Sequence, residues 1–71
     1  MPGTTTTTYT VTWVDGTSST YVTTGTPTEA TDASGNVTWV TLVGTKDGGE
    51  SATWHIHVGI SRSWSKTVVT T

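Results

Sequence analysis

The chain has 71 residues, 31% of them apolar and 11% charged, with a formal net charge of −2 and neither Cys nor Phe. That length suits one small domain, and without Cys there can be no disulfide staple and no thiolate metal site. Three bases against five acids lack the basic footprint of a strong nucleic-acid binder, and no apolar run is long enough for a membrane span or a signal-peptide core.

Thr is the commonest residue, and Val, Ser, Trp and Tyr accompany it. Thr, Val, Trp and Tyr favour strands. The strong helix formers Ala, Leu, Glu and Lys are scarce, and no window carries a 3.6-residue apolar period. The expected fold is therefore all-β with essentially no helix. Even with its 8 glycines counted, the apolar share stays below the roughly 45–50% of an ordinary globular domain. A core this thin is worth about 3–5 kcal/mol, so self-association or a partner is expected to supply further burial.

In chain order, Met1-Pro2-Gly3 reads as a mature cytosolic N-terminus. Thr4–Thr8 is low complexity, and residues 1–8 are expected to form a flexible Thr-rich arm, able to pair with a neighbour's sheet edge. Residues 9–71 form the single all-β domain. Tyr9–Val14 is the first predicted strand, with Tyr9, Val11 and Trp13 on one face. Asp15-Gly16 follows, the preferred pair for a type I′ hairpin turn, and Thr17–Thr24 returns as the second strand. Gly25–Asn36 is expected to be a long loop. Val37–Val43 is the third strand, with Val37, Trp39, Thr41 and Val43 on one face and Thr38, Val40 and Leu42 on the other. Apolar groups on both faces suggest that both are covered, one by the core and one by a subunit contact. Gly44–Glu50 is a turn.

Ser51–Ile60 alternates most cleanly. Ala52, Trp54, Ile56, Val58 and Ile60 share one face, which makes this the expected central strand. Gly59 within it predicts a bulge or a close backbone approach. Ser61–Thr71 is the fifth strand. Five antiparallel strands of this length predict a small barrel, SH3-like or OB-like, or else a compact sandwich. The four Trp are expected to build the core together.

Candidate site residues are few. His55 and His57 share the face opposite Trp54. Two ligands on one strand are short of a zinc site, so no metal or other cofactor is expected. They read as a pH-responsive surface. Arg62, Trp64 and Lys66 alternate on one face, a pattern that can grip a single-stranded nucleic acid or an anionic glycan. Its plainer counterpart is Trp64 at the core rim with two long side chains reaching past it. Asn36-Val37-Thr38 fits the glycosylation pattern, which a chain rich in Thr and Ser matches by chance. No nucleophile elbow, acidic pair or phosphate loop is present, and an enzyme is not expected.

The leading expectation is a non-enzymatic structural module acting by protein–protein contact. It would be a homo-oligomer or a subunit on a larger particle, such as a viral shell protein made in the cytoplasm and incorporated into the virion. The expected interface is Trp39, Val40, Leu42, His55 and His57. The alternative is a small ligand-binding barrel using Arg62, Trp64 and Lys66.

Overall fold

The structure, a computed structural model, describes residues 3–71. The expected all-β fold forms. Strands β1 (Thr5–Thr12), β2 (Ser18–Thr23), β3 (Thr28–Thr31), β4 (Val37–Lys46) and β5 (Ser51–Ile56) precede one 3₁₀ turn (Val58–Ile60), and β6 (Ser63–Thr70) follows it. All pairings are antiparallel. The sheet runs β3-β4-β2-β1-β6, with β5 on the other side of β4. β2 pairs with β4 at Tyr21↔Lys46 and Val22↔Thr45, and β3 pairs with it further on at Thr28↔Thr41. β3 thus continues the path of β2 along β4. The result is a curled half-barrel sheet whose last strand lies beside the first. Among the described residues it stays open between β5 and β6.

Several local expectations give way to this topology. At Met1 and Pro2 the expected arm falls outside the described residues. Its Thr5–Thr8 portion is not a free arm, because it forms the first half of β1 and faces Thr67–Thr70 of β6. Repetition hid a strand that Thr readily supports. The loop expected at Gly25–Asn36 contains β3, which follows Pro27 and makes the count six. Its four residues are too few and too polar to display an alternation.

Turn chemistry also redistributes. Gly16 N–H donates to Trp13 C=O and Trp13 N–H to Thr17 C=O. Gly16 has φ 90°, but Asp15 is not at positive φ. The first hairpin therefore closes through a three-residue loop with Gly16 in the left-handed region, not through type I′. The β4–β5 turn has the I′ signature instead, since Asp47 (φ 52°) and Gly48 (φ 76°) are its central residues.

Ser51–Ile60 is neither fully a strand nor central. It is strand only to Ile56, and β5 is paired on one side alone. Alternation reports which face is buried, and the number of strand neighbours does not enter it. The central strand is β4, flanked by β3 and β2 on one side and β5 on the other. Gly59 makes the anticipated close approach, within the 3₁₀ turn. A Cβ there would lie 3.2 Å from Thr38 Cα.

The core consists of Tyr9, Val11, Tyr21, Val40, Leu42, Ile56 and Val58. The Trp residues do not fill it as expected. Trp13, Trp54 and Trp64 pack half-buried against its edge, and Trp39 faces out. The indoles need room that a half-barrel lacks, and two of them use their N–H at the rim. Trp54 donates to Gly44 C=O (3.0 Å) and Trp13 to Ser19 Oγ (3.3 Å). The radius of gyration, 12.4 Å, exceeds the ~11 Å of a close-packed domain this size, as an open, thin-cored sheet should.

Candidate functional site

The register assigns a face to every strand residue. The core side takes Tyr9, Val11, Tyr21, Glu29, Val40, Leu42, Trp54, Ile56, Trp64 and Lys66 in facing pairs. The convex side takes their alternates. On β1 and β6 these are Thr6, Thr8, Thr10 and Thr12 beside Val69, Thr67, Ser65 and Ser63. On β4 and β5 they are Thr41, Val43 and Thr45 beside His55, Thr53 and Ser51, and Trp39 lies beside Ala30 of β3. No Asp, Glu, Lys or Arg of the six strands points to the convex side. The carboxylates other than Glu29 sit in turns or at their ends, and Arg62 precedes β6.

Three exposed apolar groups, Trp39, Val43 and Val69, lie on this uncharged face. Trp39 is 43% exposed and Val43 62% exposed. The His57 ring stacks on Trp39, with centroids 4.1 Å apart and planes 6° from parallel. His55 Nδ1 lies 3.2 Å from Thr41 Oγ1. A groove of about 440 Å³ continues from Val43 to Val22 and Thr45. Of the expected interface residues, Trp39, His55 and His57 therefore share the convex side. Val40 and Leu42 do not belong to it. They are buried opposite Ile56 and Trp54. Both faces of β4 are apolar, so the sequence alone does not say which one is the core, and the structure buries only the Val40 and Leu42 face.

The Arg62, Trp64, Lys66 stripe is divided. Trp64 packs against Tyr9 at 6.0 Å between centroids. Lys66 Nζ lies 2.9 Å from Glu29 Oε2 and 5.8 Å from the Tyr9 ring centroid. Arg62 and Trp64 line a cleft of about 360 Å³ with Asn36 and Thr38, and Asp32 in the same cleft offsets the one cation. Lys66 is thus committed to an internal pair.

Glu29 was not legible as a functional group, being one acid in an apparent loop. It accepts from the Tyr9 hydroxyl as well as from Lys66. These two donors, Tyr9 first, hold the Glu29 carboxyl below its ordinary range. Burial, then the Glu29 bond and charge, push the Tyr9 phenol up. This is a structural clasp from β3 to β1 and β6. Asp15 is also held low by hydrogen bonds from Thr17, and Asp32 by bonds from Asn36 and Ser34. These are turn-stabilising contacts.

Among the described residues no group of three or more His, Cys, Asp or Glu side chains could hold a metal ion. Among them no helix is long and apolar enough to cross a membrane. Compared with known proteins, the chain matches no family model, no curated protein and no solved structure.

Proposed function

We propose that this chain is a non-enzymatic β-module acting by protein–protein contact, a small structural or accessory subunit of a larger assembly such as a virus shell. The observation that carries the reading is the charge-free convex face with Trp39 and Val43 exposed on it. Covering such a face desolvates hydroxyls and aliphatic groups but no ion, which keeps the cost of contact low. Trp is also the residue most often found as an interface anchor. The virus-shell example is an analogy based on size and lack of charge.

The test is native mass and co-sedimentation. The chain is expected to sediment with a larger particle or above its own 7.5 kDa. Trp39→Ser should release it without changing its far-UV circular dichroism. A wild-type chain that stays monomeric and binds no particle contradicts the proposal.

A second reading, recognition of a glycan or single-stranded nucleic acid, is supported by the cleft that Arg62 and Trp64 share with Asn36 and Thr38. It predicts a Trp fluorescence change with an anionic oligosaccharide or oligonucleotide at low salt, lost in Arg62→Ala. No response to either probe removes it.

A further inference from the structure

We propose that the free edge of β6 pairs with β6 of a second copy, antiparallel about a two-fold axis at Thr67, joining two half-barrels through one continuous sheet. It rests on the contact reading only in treating the chain as a subunit, and it uses a different surface.

β6 pairs with β1 on one side and, among the described residues, with no strand on the other. The phase of that ladder says which groups are free. Thr71 N–H donates to Thr4 C=O at 3.1 Å. In an antiparallel ladder, pairs that exchange hydrogen bonds alternate with pairs that do not. Stepping back by two, the bonded pairs are Thr6↔Val69, Thr8↔Thr67, Thr10↔Ser65 and Thr12↔Ser63. Trp64, Lys66, Val68 and Thr70 therefore turn their backbone N–H and C=O groups to the open edge.

Natural edges are usually guarded by Pro, a bulge or charged side chains. β6 contains no Pro and its register with β1 does not shift. Its one charge, Lys66, is drawn to Glu29 over the concave side. Val68 and Val69 are 53% and 50% exposed on opposite faces of the same strand. They leave apolar area on both sides that a neighbouring strand would cover.

Charge selects the register. Centring the axis on Thr67 sets Lys66 opposite the partner's Val68 and Trp64 opposite the partner's Thr70, so each outward-bonding residue meets another of the four. Centring it on Lys66 sets two ammonium groups directly opposite, a repulsive pair. The β5 edge is a poorer partner, because β5 is shorter and ends in the 3₁₀ turn. A β5–β6 contact would also be head-to-tail, which builds open chains unless its rotation closes a ring.

Light scattering over a micromolar to millimolar range tests this. The expected high-concentration mass is twice 7.5 kDa. Val68→Pro removes an outward N–H that the isolated fold does not use, and edge strands tolerate such a Pro. It should be folded and monomeric. Val68→Lys puts a like charge opposite Lys66 of the partner subunit and should raise the dissociation constant by about ten-fold, whereas Val68→Glu should not raise it. A strictly monomeric wild type overturns the pairing, and so does a dimer indifferent to both Val68→Pro and Val68→Lys. An open polymer would overturn it in favour of β5–β6 contact. If the wild type is monomeric yet Trp39→Ser abolishes particle binding, the edge proposal fails and the contact reading stands. If Val68→Pro abolishes the dimer but no particle is bound, the edge proposal stands and the Trp39 face loses its role.

Discussion

The hydroxyl of Tyr9 donates to the carboxylate of Glu29, so that β1 holds the short strand β3 through a single buried phenol. Lys66 of β6 reaches the same carboxylate oxygen at 2.9 Å. The clasp joins three strands across the concave side of a sheet that never closes, and it makes up in part for the thin core.

Tyr9→Phe keeps the ring and its packing but removes the only donor from β1 to Glu29. Hydrogen bonds to charged groups are worth about 1.5–3 kcal/mol, and a loss of that size in urea unfolding is expected. Lys66→Met removes a pair whose ends are 38% and 26% exposed. Screening limits such pairs to about 0–1 kcal/mol. The Tyr9 change should therefore destabilise more than the Lys66 change.

The same clasp sets an acid dependence. The Glu29 carboxyl is held below its ordinary value of 4.5 in the fold, so the unfolded chain binds the proton more readily. Its contribution is fully present above that ordinary value and is lost as pH falls through the folded one. The urea midpoint should drop on acidification from that value. Glu29→Gln should be less stable at neutral pH and show a smaller acid loss. Asp15 and Asp32 are also lowered, so some acid dependence should persist in the variant.

Gly44 marks a tight crossing between β4 and β2. A Cβ built there would lie 2.0 Å from the Val22 carbonyl oxygen, a backbone atom that cannot rotate away. Gly44→Ala should force β2 from β4 at a cost of about 3 kcal/mol or more. Gly25→Ala, whose Cβ would meet only Thr23 Oγ1 at 3.5 Å, should cost far less. Thermal unfolding of both variants checks the contrast.

On the convex face, Trp39→Ser should change stability by about 1 kcal/mol or less, because Trp39 lies outside the core. Its effect should fall on binding. His57 stacks on Trp39 with planes 6° from parallel, so His57→Ala should leave the exposed indole less fixed and weaken binding, as pull-down with the particle would report.

The fold class was legible because Thr, Val and aromatic residues alternate in most strands, and Tyr9-Val11 and Val40-Leu42 mark faces that are in fact buried. The strand β3 was not legible, because Glu29 points inward and is satisfied by Tyr9 and Lys66 instead of by apolar neighbours. Ser51–Ile60 misled in length for a related reason. Ile56 and Val58 are both buried, but the chain passes from strand to 3₁₀ turn between them. At the candidate site, spacing placed His55 and His57 on one face of their own segment, but joining Trp39 to them and removing Val40 and Leu42 needed the Thr41↔His55 register and the Trp39–His57 stack. The absence of charge over the whole convex side needed the register of six strands.

A contact role requires that the convex face be covered in the working state of the protein. Sedimentation velocity on material recovered from the cells or particles that make it reads this coverage. The expected species sediments well above 7.5 kDa, and Trp39→Ser releases it as a folded, smaller one. A native 7.5 kDa monomer, unchanged by Trp39→Ser, is the opposite outcome and rules the contact role out.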